Sequence, residues 1–218
     1  MITLENLTKS YRTKGQQKVV ARGINATFPT GVAVALLGRN GAGKSTLMRL
    51  IAGNAKPTSG RIWSDGTISW PVGFAGSFHG ELTGAQNVKF ISRIYGVDTD
   101  MLIDFVEDFA ELGEHYRLPF RTYSSGMKSR LAFGVSMGIR FDTYLVDEVT
   151  SVGDQRFKEK ANEVFQKRIG ASGAIVVSHS MNVIRQMCTK AAVLENGNLT
   201  MFDNVEDAIA RHMENMKS

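Results

Sequence analysis

Cysteine occurs once in this 218-residue sequence, at Cys188, so no disulfide can close within the chain and nothing in its cysteine usage points to an oxidising compartment. The simplest role for that thiol is a small buried side chain. Long apolar runs are missing as well. The longest, such as "VAVALL" at 32–37, fall far short of the about 20 residues that a membrane-crossing helix needs. The opening "MITLENLTKSYRTKG" lacks the basic-then-apolar order of a secretory signal. A cytosolic chain without a membrane span is therefore expected. No low-complexity tract argues for disorder, and no internal repeat is found, so each motif is available once per chain. An N-K-x-D guanine-reading motif is also absent, which lowers a GTPase reading.

What is present is enough to fold: 43% hydrophobic and 22% charged residues over this length allow a sizeable core. The formal charge of +5 is compatible with lipid surfaces, nucleic acid or nucleotides, and equally with lysines dispersed in solvent. Hydrophobic spacing divides the chain into three regions. Residues 1 to about 75 are strand-rich: "ITLENL" alternates, "VAVALL" has the form of a buried strand, and "RIWSDGTISW" places the turn Ser64-Asp65-Gly66-Thr67 between two β-favouring arms. From about 76 to 141 the spacing becomes helical. "TGAQ" at 83–86 has capping-box form and precedes apolar Val88, Ile91, Ile94 and Tyr95. Leu102, Phe105, Val106, Phe109 and Leu112 then line a second helix ended by Gly113. Beyond 142 strands and helices alternate, with "TYLVDE", "GAIVVSHS" and "AAVLENGNLTMF" as strands or hairpin and "SMNVIRQMC" and "VEDAIARHMENM" as helices. The implied fold is α/β: one domain over 1–218, with a largely parallel core sheet, an N-terminal β region and an inserted helical subdomain.

"GRNGAGKS", Gly38 to Ser45, fits G-x-x-x-x-G-K-[ST] and lies between a buried strand and the apolar-periodic "STLMRLIAG", where a phosphate-binding loop must lie. Its glycines let successive N–H groups converge on phosphate oxygens, and the following helix turns its positive end to the same anion. Gly38, Arg39, Asn40, Gly41, Ala42, Gly43, Lys44, Ser45 and Thr46 form the expected cradle. Lys44 adds charge at the β and γ phosphates, and the Ser45 hydroxyl is a ligand for Mg²⁺. "YLVDE" puts Asp147 at a strand end, from which a carboxylate orients Mg²⁺. Glu148 follows where the chain is turning and is a candidate general base for an attacking water. A second anion-ready helix start is Ser124-Ser125-Gly126, in "YSSGMKSRLAFGVSM", with apolar Met127, Leu131 and Val135 behind it. A dipole contributes up to ~2 kcal/mol and a hydrogen bond to a charged group ~1.5–3 kcal/mol, whereas micromolar affinity needs about 8 kcal/mol. Alone, such a start binds ATP poorly. It can act on an ATP already held elsewhere.

Taken in order, these motifs resemble the ATP-binding subunit of an ATP-binding cassette (ABC) transporter over nearly the whole chain: "GRNGAGKS" as Walker A, "YSSGM" as a divergent signature, "YLVDE" as Walker B, "SVGD" at 151–154 as the D-loop, and the histidine of "VSHS" as the switch. The resemblance implies an ABC ATPase with a RecA-like core. It also implies an adenine-stacking role for Tyr11, a γ-phosphate contact for His179, and a place for Asp154 at the nucleotide. Two copies would pair head to tail around two MgATP, each signature capping the partner's P-loop. Without a span of its own, the chain would dock on a separate integral membrane permease through the helical insertion and "GFAGSFHGELTG". Departures are visible: the family's glutamine near 74–77 is absent, Gln86 lies too late, and "YSSGM" differs from L-S-G-G-Q. "FHGELTGAQN", "VDEVTSVGDQRFKEK" and "VSHSMNVIRQMC" resemble the bacterial ABC-2-type branch that exports cell-surface polysaccharides. Because O-antigen members often carry a further carbohydrate-binding domain and this sequence stops at Ser218, the resemblance points to capsular polysaccharide, reached indirectly through the permease. O-antigen, teichoic acid or a small molecule are the alternatives. The implied location is the cytoplasmic face of the inner membrane, peripheral. A DNA-repair or translation ATPase would carry a long coiled-coil insertion or tandem cassettes, so no nucleic-acid partner is expected.

Overall fold

The computed structural model describes residues 1–13, 16–147 and 154–217. They form two compact units, one of residues 1–71, 141–147 and 169–217, the other of residues 72–140 and 154–168.

The first unit is built on two sheets. β1 (Ile2–Thr13) and β2 (Gln16–Phe28) pair antiparallel, and β4 (Ser59–Ser64) joins the other side of β1, giving the order β2-β1-β4. The second sheet has the order β5-β6-β7-β3-β8-β9, from β3 (Ala33–Leu37), β5 (Ile68–Pro71), β6 (Thr143–Asp147), β7 (Gly173–Val177), β8 (Lys190–Glu195) and β9 (Asn198–Phe202). All neighbours are parallel except β8 and β9, whose antiparallel pairing is the hairpin expected of "AAVLENGNLTMF". Strands β6, β7 and β3 are continuous apolar runs because both their faces are covered, as befits central parallel strands. Leu47, Met48, Leu50 and Ile51 of α1 (Lys44–Ile51) join Ile2, Leu4 and Phe28 of the antiparallel sheet and Leu36, Leu145 and Ile175 of the parallel sheet in one core. The turn at 64–67 is present, but its two arms do not pair. β4 continues the antiparallel sheet and β5 enters the parallel one, where Asp142 ties the junction down by accepting from the Thr67 amide (2.7 Å) and hydroxyl (2.8 Å).

The second unit is helical: α2 (Gly84–Tyr95), α3 (Thr99–Ala110), α4 (Ser125–Gly138) and α5 (Gln155–Gly170), the last leaving the unit at its C-terminal end. The capping box forms as expected. Thr83 Oγ1 accepts from the Gln86 amide (3.1 Å), and the Gln86 side chain accepts from the Thr83 amide (2.9 Å), so Gln86 is committed to starting α2. Two expectations need correction. Ile94 and Tyr95 are exposed, because the inward stripe of α2 runs through Asn87, Val88, Ile91 and Ser92. Helix α3 ends at Ala110, before Gly113, because Glu111 takes the left-handed conformation (φ 51°) and its carboxylate accepts from Lys160 Nζ of α5 (2.7 Å). That contact shows a larger difference: the helical body extends past residue 141 to include α5. Phe109 is its hub, stacked on Phe105 (5.8 Å) and Phe133 (5.7 Å) and edge-on to Phe157 of α5 (5.3 Å).

Candidate nucleotide site

Parallel strands present their C-terminal ends along one sheet edge, where open α/β sheets bind ligands. At that edge β3 runs directly into Gly38, β6 ends at Asp147, and β7 ends at Val177, two residues before His179. Since β7 lies between β6 and β3, the three motifs stand side by side, the outer two separated by two strand spacings, about 10 Å.

The loop at β3 has the backbone its sequence requires. Gly43 is the N-cap of α1 in a left-handed conformation (φ 113°), and a Cβ there would lie 2.1 Å from Val20 Cγ1. Gly38 (φ 155°) approaches β8 so closely that a Cβ would meet the Leu194 carbonyl at 2.5 Å. The loop closes on itself through the Ala42 amide, which donates to the Arg39 carbonyl (3.0 Å). Lys44 Nζ donates to the carbonyls of Gly38 (2.7 Å) and Arg39 (3.2 Å), which holds the ammonium inside the curl. Among the described residues no side chain caps α1, and its own first turn carries no acid. Arg39, Asn40 and Gly41 form the exposed tip; Ser45 is exposed and Thr46 buried in the first turn of α1. Tyr11 is at the far end of β1, its ring 37% exposed with Lys9 Nζ 4.9 Å from the centroid. His179 is exposed, in a turn where the Ser180 amide donates to Ser178 Oγ (3.1 Å) and Ser180 caps α6 (Met181–Met187).

Ser45 and Asp147 offer one hydroxyl and one carboxylate, and among the described residues no three His, Cys, Asp or Glu side chains gather to hold a metal by themselves. That oxygen donor set suits a hard dication completed by phosphate oxygens and water. Glu148 and residues 151–153 of "SVGD" lie outside the described residues.

The second helix start belongs to the helical unit. Ser124 Oγ accepts from the Met127 amide (3.3 Å) as the N-cap of α4, leaving Ser125 and Gly126 as the first helical residues. One turn on, Arg130 pairs with Asp154 (2.8 Å) and lies over the Phe157 ring (4.4 Å), while Asp154 Oδ1 accepts from the Phe157 amide (2.9 Å). That amide, and after it Arg130, hold the Asp154 carboxyl below the usual carboxylate range. Asp154 thus fastens the start of α5 to the signature helix, a role that motif order alone did not reveal. The acid-to-Arg spacing of 24 residues leaves no local signal for it.

A glycine-cradled loop before α1, a carboxylate on the next strand but one, and a cassette-like division into a two-sheet unit and a helical unit define a P-loop nucleoside-triphosphatase. Residues 21–151 match the family model described as ABC transporter. The polysialic acid transport ATP-binding protein KpsT of Escherichia coli is 51% identical over 212 residues, covering 96% of this chain and 95% of that protein. ATP-binding protein BexA of Haemophilus influenzae is 46% identical over 218 residues, covering 100% of both. The capsule polysaccharide export ATP-binding protein CtrD of Neisseria meningitidis serogroup B is 47% identical over 209 residues, 95% of this chain and 96% of that one. In fold, the chain matches the dimeric ATP-binding cassette MJ0796 bound to ADP and Pi, with a TM-score of 0.77 at 22% identity over 94% of this chain and 99% of that one. The chain belongs to the ABC transporter family, as an ATP-binding, ATP-hydrolysing component.

Proposed function

We propose that this chain is the ATPase subunit of a capsular polysaccharide exporter, working as a head-to-tail homodimer on a separate permease at the cytoplasmic face of a bacterial inner membrane. The observation that carries the ATPase chemistry is the side-by-side arrangement of Gly38–Ser45, Asp147 and His179 at one sheet edge. Similarity over almost the full length to KpsT and CtrD supports the substrate class. No described helix is long and apolar enough to cross a membrane, and the helical unit carries exposed apolar side chains suited to a membrane partner: Phe90 and Ile94 one turn apart on α2, with Met101 and Leu118.

In this reading Tyr11 stacks on adenine, the loop amides and Lys44 hold the β and γ phosphates, and Ser125 with Gly126 of the second copy close over the same triphosphate. Asp154 holds that second helix start in place through Arg130. Ser45 and Asp147 would hold Mg²⁺, which when bound neutralises charge on the phosphate oxygens. Glu148 takes a proton from water as its oxygen bonds to the γ-phosphorus and the bond to the β-phosphate oxygen breaks, giving ADP and inorganic phosphate; His179 contacts the γ phosphate. Closure on ATP and reopening after phosphate loss shift the population of the attached permease. The test is exchange for the resident ATPase subunit in a capsulated Gram-negative strain. Surface capsule should return with the wild type and stay absent with Lys44→Ala, while purified Glu148→Gln should accumulate as ATP-bound dimers. Capsule restored by Lys44→Ala, or Glu148→Gln staying monomeric with full turnover, refutes the reading.

A further inference from the structure

One buried side chain holds the turn that leads into α2. Asn87, in the first turn of that helix, is 1% exposed. Its Oδ1 accepts from the His79 amide (2.8 Å), and its Nδ2 donates to the carbonyls of His79 (3.1 Å), Leu82 (3.2 Å) and Thr83 (3.0 Å). Backbone outside helices and strands must find other partners. For residues 79–83 the Asn87 amide supplies them and closes the segment on itself.

This turn lies against the stretch of chain that leads into α4. The Leu82 carbonyl accepts from the Phe120 amide (2.8 Å), the Gly80 carbonyl accepts from the Arg121 amide (2.9 Å), and Thr83 bridges antiparallel to Pro119. The Phe78 ring stands edge-on to Phe120 (5.1 Å), and Glu81 accepts from Arg121 Nε (3.1 Å). Just beyond, the Tyr123 hydroxyl donates to the His115 carbonyl (2.7 Å) and lies 2.4 Å from where a Cβ on Gly84 would sit, so the start of α2 and the approach to α4 are packed without room between them. The next residue, Ser124, is the N-cap of α4. All these groups belong to the helical unit.

Resting on the reading that Ser125 and Gly126 close over a triphosphate held by a second copy, we propose that Asn87 is a positioning residue for that closure: it holds the 79–83 turn, whose pairing with 119–121 fixes the direction in which α4 begins. Asn87 acts through backbone and not on the nucleotide itself. Without its amide the lead-in keeps fewer bonds and samples more directions. Apparent affinity for closure then falls by the fraction of molecules still in the capping geometry. The phosphate loop, which belongs to the other unit, keeps its own nucleotide affinity.

The test uses the full chain in the Glu148→Gln background, with MgATP-driven dimerisation followed by sedimentation and MgADP affinity by calorimetry. Asn87→Asp keeps the acceptor for the His79 amide and replaces the donor to three carbonyls by another acceptor. It should raise the dimerisation midpoint at least about tenfold, the population shift that loss of a buried hydrogen bond brings, and leave ADP affinity within about twofold. Ser92→Ala is the control for stability alone. Ser92 lies on the same buried stripe of α2 but bonds to the Lys89 carbonyl (2.8 Å) and the Thr99 hydroxyl (2.8 Å), not to the turn. It should lower the melting temperature without moving the midpoint. Phe78→Leu, which removes the ring set against Phe120, should raise the midpoint about threefold, and it decides the outcome if hydrogen exchange shows α2 unprotected in Asn87→Asp. An unmoved midpoint in Asn87→Asp with α2 protected, an equal rise in Ser92→Ala, a parallel loss of ADP affinity, or an unmoved midpoint in Phe78→Leu overturns the proposal. A Glu148→Gln parent that does not dimerise with ATP overturns the two-copy reading instead, and with it this one, before any second substitution is made.

Discussion

Gly43→Ala tests how tightly β2 moulds the phosphate loop. At φ 113° an alanine is strained, at a cost of about 1–3 kcal/mol. Its Cβ would also sit 2.1 Å from Val20 Cγ1, and overpacking of that kind adds about 1–3 kcal/mol. Gly41→Ala is the control: it too has positive φ (79°), but a Cβ there meets nothing within 4 Å, so it carries strain without the clash. Removing the Val20 methyl groups should relieve the clash and leave the strain. In a double-mutant cycle of Val20→Ala and Gly43→Ala, unfolding free energies from urea titration should therefore show a coupling of about 1–3 kcal/mol in favour of the pair. ADP affinity, measured calorimetrically, should fall at least about tenfold in Gly43→Ala, the loss of one hydrogen bond to a charged group. The pair should recover part of it. Coupling below about 0.5 kcal/mol, within additivity, or equal effects of Gly41→Ala and Gly43→Ala, would refute the claim that Val20 shapes the loop.

Two further outcomes follow from the packing and the charges. Phe109→Ala should cost about 3–5 kcal/mol by emptying the aromatic hub, and hydrogen exchange should show protection lost in α3, α4 and α5 before β3 and β6; equal loss in the sheet would contradict the division into two units. The Asp142 carboxyl is held below its usual 3.8 by the Thr67 amide and then the Thr67 hydroxyl, so its contribution is present above that pH and lost as pH falls through the lower folded value. Asp142→Asn should be less stable near neutrality and flatten the fall of melting temperature with acid; an unaltered acid slope would show that the pairing does not matter.

The features legible from the chain alone were those set by neighbours in sequence. The Gly38–Ser45 loop, the Thr83–Gln86 capping box and the β8–β9 hairpin each need only residues within a few positions, whose backbone preferences and side-chain reach suffice to define them. The sheet edge was half legible. Strand ends could be read at Asp147 and before His179, but the order β6-β7-β3 that sets them beside the P-loop comes from pairings between distant segments.

The sequence by itself determined that a phosphate loop would form and that the helical segment would begin at Thr83, because both rest on local backbone chemistry. Only tertiary structure decided that the arms around 64–67 part into different sheets, that Phe157 carries α5 into the helical body, and that Arg130 finds Asp154. It alone brought His212 beside Gly38–Ala42 as a wall of the same cavity. Periodicity states which face of an element is apolar. Which surface that face meets depends on complementary shape and charge contributed from far along the chain.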